Sequence, residues 1–158
     1  MLVDNTSGVL SRIAGLFSRR GYNIDSLTVG ETADPRYSRM TVVVNGDDKI
    51  LDQITKQLAK LVDVVDIKPL ADNESVSREL VLVKVRADGQ NRQAIIGITD
   101  IFRAKIIDVG IDSLIIELTG NQSKIDAFIR LLEGYEILEL ARTGITGLSR
   151  GAEDVRYL

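Results

Sequence analysis

The chain contains no cysteine and no histidine, and these two absences exclude several kinds of site. Zinc-finger ligands, a thiol nucleophile, a disulfide and a histidine-dependent catalytic triad are all ruled out. Tryptophan is absent as well, and aromatic residues make up only 4% of the chain. Carboxylates, lysine, tyrosine, serine and threonine remain for chemistry. The composition therefore disfavours an enzyme, and we expect no metal site.

A surplus of basic residues is also missing. The 20 Lys and Arg residues are outnumbered by 23 Asp and Glu, giving a net charge of -3, so there is no basic surface to neutralise phosphates. No apolar run approaches the roughly 18 residues of a membrane span. The first residues include Asp4 and Asn5, unlike a secretory signal. We expect no nucleic-acid partner, no membrane association and a cytoplasmic location.

The residues that are present favour an ordinary folded protein of one medium or two small domains. The chain has 158 residues, of which 44% are hydrophobic and 27% charged. Apolar residues at Leu10, Ile13, Ala14 and Phe17 predict a helix over residues 8–20, with capping residues before it and Gly21 after it.

The remaining pattern gives two similar halves. In the first half, strands are predicted over residues 22–30, 39–45 and 62–68, with a helix carrying Leu51, Ile54, Leu58 and Leu61 before the last. In the second half, strands are predicted over residues 79–87, 104–109, 113–118 and 136–141, with helices around Ile95 and Phe128. A strand ending in glycine, then a helix, then a strand occurs in both halves, at Gly46 and at Gly120, which indicates an internal repeat.

This order predicts an α+β fold of two tandem ferredoxin-like βαββαβ units, each an antiparallel sheet with two helices on one face. Residues 1–70 form the first domain, 71–77 a polar linker, and 78–158 the second domain with a glycine- and arginine-containing tail. Only Met1, Leu2 and Val3 are left for the opening strand, so we expect residues of that strand to be missing from the N-terminus. Each unit is small, and we expect each sheet to need a partner.

The tail contains Gly147-Leu148-Ser149-Arg150-Gly151, which fits the G-x-S-x-G pattern of hydrolases. That nucleophile elbow needs a strand before it, a helix after it and a histidine base. The chain has no histidine, and seven residues follow Gly151. We interpret the tail as a docking or flexible segment.

Several stretches together resemble the small, regulatory subunit of acetohydroxyacid synthase, also called acetolactate synthase. They cover nearly the whole chain in order: residues 5–12, 15–29, 38–41, 56–58, 61–64, 78–80, 83–85, 106–109, 141–144 and 147–151. The resemblance implies that the first domain is an ACT domain, a module that binds amino acids. It also implies a chain without catalytic activity that activates a large catalytic subunit and confers feedback inhibition by valine or another branched-chain amino acid. Thiamine diphosphate, Mg and FAD are then expected on the catalytic subunit and not on this chain.

The same resemblance assigns effector-binding residues. They lie at the start of the first helix and around the following strand: Asn5, Ser7, Gly8, Val9, Leu10, Asn23, Ile24, Thr28 and Gly30. The unpaired N–H groups of a helix N-terminus suit the carboxylate of a free amino acid, and Gly8 lets the ligand approach the backbone. In ACT homodimers the second group of residues comes from the other copy, so Asn23 and Ile24 are expected across the interface from Asn5.

Other interpretations of these residues exist. The residues before the first helix, Asn5 to Ser7, could be simple helix caps. Asp63 and Asp66 are interpreted as the solvated face of a strand, and Asp47 and Asp48 as first-turn acids that complement the helix dipole. The alternative function is a freestanding ferredoxin-like module that recognises another small molecule or RNA, although an RNA-binding sheet needs exposed aromatics that this chain lacks.

Overall fold

The computed structural model describes residues 1–152, which form two compact units. Unit 1 comprises Met1–Ser77 together with the C-terminal segment that begins at Ile145, and unit 2 comprises Arg78–Gly144. This division differs from the predicted one, because the tail was assigned to the second domain. No helix among the described residues is long and apolar enough to cross a membrane.

Unit 1 contains one βαββαβ repeat. Its elements are β1 (Leu2–Asp4), α1 (Val9–Arg20), β2 (Ser26–Glu31), β3 (Tyr37–Val43), α2 (Asp48–Leu58) and β4 (Val64–Asp66). The four strands form an antiparallel sheet in the order β2-β3-β1-β4. Although β1 has only three residues, it occupies a central position, where Leu2 and Val3 are each 1% exposed.

The core of unit 1 lies between this sheet and the two helices. The i, i+3, i+4 spacing of apolar residues buries Ile13, Leu16 and Phe17 of α1, and Ile54 and Leu58 of α2 contact the same cluster. Strand alternation adds Met40 from β3 to the cluster and turns Thr41 to the opposite face. Both helices therefore cover one face of the sheet.

Unit 2 repeats the arrangement. Its elements are β5 (Ser75–Arg86), which begins in unit 1, α3 (Arg92–Ile101), β6 (Lys105–Val109), β7 (Ser113–Gly120), α4 (Gln122–Leu132) and β8 (Ile137–Arg142). The antiparallel sheet has the order β6-β7-β5-β8, and its core residues include Val83, Ile116, Ile125 and Phe128. The predicted α+β fold of two βαββαβ units is confirmed.

Several predicted boundaries are wrong. The strand predicted over residues 22–30 begins only at Ser26, because Asn23 donates a side-chain hydrogen bond to Asp25 in the connection after α1. The strand predicted over residues 62–68 shrinks to β4. The linker predicted over residues 71–77 is shorter, since β5 already starts at Ser75.

The largest difference lies in the tail. Residues Thr146–Ser149 form a further strand, β9, which pairs with β5. The predicted G-x-S-x-G segment is thus ordered as far as the structure describes it, and Gly147 is buried. The segment packs within unit 1, and its interpretation as a docking segment stays a prediction.

Candidate functional site

The predicted effector site centres on the turn between β1 and α1. The Asp4 amide donates to the Asp63 carbonyl (2.9 Å) and the Asn5 amide to the Arg36 carbonyl (2.7 Å), which fixes the turn against neighbouring segments. Gly8 is the N-cap of α1, and no side chain of residues 1–152 accepts a capping hydrogen bond there. The interpretation of Asn5 to Ser7 as helix caps is therefore wrong.

The Asn5 side chain forms hydrogen bonds to other residues of unit 1. Its Nδ2 donates to the Pro35 carbonyl (2.9 Å) and to Glu31 Oε2 (3.2 Å), and its Oδ1 accepts from Ser38 Oγ (3.0 Å). These bonds tie the turn to the β2–β3 connection. A carbonyl oxygen has two lone pairs, so Asn5 Oδ1 keeps one for a ligand ammonium.

Gly8 has a backbone conformation that favours glycine, with φ of 89°. A Cβ at this position would lie 2.8 Å from Nη1 of Arg12, so the guanidinium group occupies the space beside the glycine. The first turn of α1 contains no acidic residue. The positive end of the α1 dipole is therefore not neutralised by an acidic side chain of the helix's own first turn.

Arg12 is held by Asp63, in a contact that sequence reasoning missed. Arg12 Nε lies 2.6 Å from Asp63 Oδ2, and Nη2 lies 2.8 Å from Oδ1. The hydrogen bonds lower the pKa of Asp63 and raise that of Arg12. The Asp63 side chain is 10% exposed, so its interpretation as a solvated strand residue is wrong. The only signal for this contact was the position of Arg12, one helical turn after Gly8.

The neighbouring residues that are predicted to bind the effector differ in solvent exposure. Val9 is 4% exposed and its side chain belongs to the core of unit 1, so only its backbone faces the turn. Leu10 is 47% exposed. Ser7 is exposed on the turn itself.

Asn23 and Ile24 lie at the other end of α1. The 12 residues of this helix span about 18 Å at 1.5 Å per residue. Asn23 donates to Asp25, and Ile24 packs against the core of unit 1. Within one copy, these two residues do not meet the turn at Asn5.

The two predicted residues of β2 have different surroundings. Gly30 precedes Glu31, the partner of Asn5, and apart from its two chain neighbours no described residue lies within 4 Å of the place where its Cβ would be. Thr28 instead donates its hydroxyl to the Ile145 carbonyl (3.1 Å). The structure thus brings Asn5, Gly8 and the Gly30 end of β2 together, and it places Thr28 against the C-terminal segment.

This arrangement is suited to a small anion. The N–H groups at the start of α1, of which that of Val9 already donates to the Thr6 carbonyl (3.4 Å), provide donors beside a residue without a side chain. The helix dipole and the Arg12 guanidinium add positive charge. In the described part of the chain, no group of three or more acidic residues is placed to hold a metal ion.

Two family models match the chain, one for each repeat. Residues 1–66 match the model described as an AHAS small subunit-like ACT domain, and residues 78–151 match the model described as the small subunit of acetolactate synthase. The chain belongs to the family of acetolactate synthase small subunits. Both models together account for nearly the whole sequence.

Individual members of this family are close in sequence and in structure. The probable acetolactate synthase small subunit of Methanothermobacter thermautotrophicus is 52% identical, covering 96% of this chain and 90% of the relative. The acetolactate synthase isozyme 3 small subunit of Salmonella typhimurium is 49% identical, covering 99% and 96%. The crystal structure of the Thermotoga maritima small subunit superposes with a TM-score of 0.90 at 48% identity, covering 96% and 95%.

Membership in this small-subunit family confirms the resemblance that the sequence shows. It also confirms that the chain is a regulatory subunit with an ACT domain and not an enzyme by itself.

Proposed function

We propose that this chain activates a thiamine-diphosphate-dependent large subunit of acetolactate synthase and confers feedback inhibition by valine. The observation that carries the effector site is the uncapped start of α1 beside Arg12. Asp63 uses Nε and Nη2 of Arg12, which leaves Nη1 facing Gly8. That group makes no other hydrogen bond among residues 1–152, so it serves as a donor for the effector carboxylate.

The rest of a branched-chain amino acid fits the same turn. The ammonium group needs acceptors, and the second lone pair of Asn5 Oδ1 supplies one. The apolar side chain of the effector needs apolar contact, which the half-exposed Leu10 offers. The three groups of the amino acid thus have partners of the required chemistry.

A second copy of the chain completes this proposed site. About 18 Å of helix separates Asn23 and Ile24 from the turn at Asn5 in one copy. A homodimer through the ACT domains would place these residues of one copy beside the turn of the other. The effector would then bind between the two copies and stabilise their interface.

The catalytic cofactors belong to the partner in this proposal. Thiamine diphosphate, Mg and FAD would be held by the large subunit, and this chain would act on it through conformational coupling. Such coupling between two sites is typically worth about 1 to 3 kcal/mol and is reciprocal. The alternative of a freestanding module is disfavoured, because both repeats match models of the same small-subunit family.

Reconstitution with a large subunit tests this proposal directly. We expect the isolated chain to form no acetolactate from pyruvate, to raise the turnover of the large subunit on mixing, and to make the complex sensitive to valine. Sedimentation of the free chain at micromolar concentration should give a dimer. Absence of activation at every ratio, or a monomer that binds valine with full affinity, would contradict the proposal.

The Asp63→Asn variant tests the role of Arg12 in the effector site. An amide keeps the shape of the side chain but removes the charge that fixes Arg12, so the guanidinium should lose its position. We expect the valine concentration for half-inhibition to rise about ten-fold, as for one lost charge-assisted hydrogen bond, while activation is retained. The matched control is Asp52→Asn, which breaks the exposed ion pair with Lys56 on α2 of the same unit. An equal rise in both variants would exclude the assigned role.

A further inference from the structure

The C-terminal segment 145–150, here called the strap, lies on the face of the unit 1 sheet that the helices leave open. Side-chain hydroxyls hold its backbone. Ser26 Oγ accepts from the Ile145 amide (2.9 Å), Thr28 Oγ1 donates to the Ile145 carbonyl (3.1 Å), and Thr41 Oγ1 accepts from the Gly147 amide (3.3 Å). Thr28 and Thr41 are direct neighbours across β2 and β3.

The far end of the strap is fixed by backbone contacts. The Arg150 amide donates to the Glu74 carbonyl (2.8 Å), and β9 pairs with β5. Gly147 is buried, and a Cβ there would lie 3.0 Å from Leu70 Cδ1 and 3.4 Å from the Val76 carbonyl oxygen. The strap thus fits closely on unit 1, and three of the hydrogen bonds that hold it involve side-chain hydroxyls.

The bond from Thr28 links the strap to the proposed effector site. A hydroxyl donates only one hydrogen bond, and Thr28 gives it to the strap. This bond fixes the rotamer of Thr28, which lies on the same strand as Gly30. Release of the strap frees the Thr28 side chain to rotate, so the conformation of Thr28 on β2 depends on whether the strap is closed.

We propose that the strap is a reversible latch whose closure and effector binding favour each other through Thr28. This inference goes beyond the proposed function and depends on it for the identity of the effector. The strap opens without unfolding of unit 1, because it lies on the outer face of the sheet and none of its residues belongs to the apolar core of that unit. By reciprocity, valine then stabilises the closed strap by the same factor as the closed strap strengthens valine binding.

Hydrogen exchange of the Ile145, Gly147 and Arg150 amides in the full chain measures this opening. We expect these amides to exchange at least about ten-fold faster than the slowest β3 amides, and to slow down several-fold with saturating valine. The Thr41→Val variant should speed exchange at Gly147 by roughly three- to ten-fold, the effect of one ordinary hydrogen bond. In the reconstituted complex, the same variant should weaken valine inhibition by no more than that factor.

A matched control and a second variant make the experiment decisive. Thr55→Val removes a hydroxyl bond to the Leu51 carbonyl on α2, away from the strap, and should change neither strap exchange nor inhibition. Gly147→Val should displace the strap by crowding Leu70 and so reproduce the effect of Thr41→Val.

Two outcomes overturn the latch. The first is strap exchange that occurs only with global unfolding. The second is a valine-sensitive complex whose strap exchange does not respond to valine or to the variants. A wild-type complex that ignores valine would instead overturn the proposed function, and the coupling with it.

Discussion

Arg142→Met is expected to destabilise unit 2 by about 2 to 3 kcal/mol at neutral pH. Glu79, whose side chain is 4% exposed, receives two hydrogen bonds from Arg142, at 2.7 and 2.8 Å. Removal of one partner leaves a buried charge without compensation, which typically costs about 3 to 5 kcal/mol. The expected loss is smaller because Arg142 is 33% exposed and partly solvated. Urea unfolding of the full chain is the measurement.

The pH dependence of this loss has a definite sign. In the wild type, hydrogen bonds from Arg142 lower the pKa of Glu79, so the pair stabilises the fold above the ordinary carboxyl pKa and this contribution is lost as pH falls through the folded value. In Arg142→Met, burial instead raises the pKa of Glu79. The variant then gains relative stability as the carboxyl takes up a proton, and the difference from wild type should shrink from pH 7 to pH 4.

Two controls separate the ion pair from general packing. The double variant Glu79→Gln with Arg142→Met should recover much of the stability, because the buried charge is gone. Lys84→Met breaks an exposed pair with Glu139 in the same sheet and should have little effect. A pH-independent loss in Arg142→Met would show that lost packing dominates.

Gly8→Asp is expected to abolish valine inhibition or to raise the half-inhibitory concentration more than about fifty-fold. The new carboxylate would stand where the effector carboxylate binds, and like charges at this distance repel strongly. It would also lie against Arg12 Nη1, which is 2.8 Å from the position of the Cβ, and compete with Asp63 for the guanidinium. Activity of the reconstituted complex over a valine titration is the measurement.

Backbone strain has to be separated from this effect. Gly8 has φ of 89°, a conformation that aspartate tolerates better than most residues but not without cost. Gly8→Asn is the matched control, because asparagine adds a side chain of the same size at the same φ but carries no charge. Valine inhibition should weaken less in Gly8→Asn than in Gly8→Asp, and equal loss in both variants would show that strain or crowding causes the effect. Unchanged valine sensitivity in a folded Gly8→Asp variant would remove the turn as the effector site.

The sequence predicted the helices and the repeat well, because their apolar spacing is long and regular. The α1 boundaries differ by one residue from the prediction, and Gly21 ends the helix as expected. Strand ends were less predictable. Leu51, placed on the buried face of the second helix, is 37% exposed, since that helix packs mainly through Ile54 and Leu58.

The contacts of the site could not be read from local patterns. The Arg12–Asp63 pair joins residues far apart in the chain, and acids in a short strand segment are usually solvated. Strand β9 was equally unpredictable from the sequence, because Thr146–Ser149 shows no alternation of apolar and polar residues and its partners lie in distant segments. Glycine spacing in the tail resembles a catalytic motif, whereas Gly147 lies in a close contact where a Cβ would stand 3.0 Å from Leu70 Cδ1.

The return of the C-terminal segment to unit 1 has a consequence for dividing the chain into its parts. The bond between Thr41 and Gly147 joins residues 106 positions apart, so unit 1 is not continuous in sequence. A fragment of residues 1–77 keeps the four strands β1 to β4 but loses the segment that covers Thr28 and Thr41 on the open face of their sheet. Such a fragment is therefore an incomplete ACT unit and should unfold at a lower urea concentration than the same unit in the full chain.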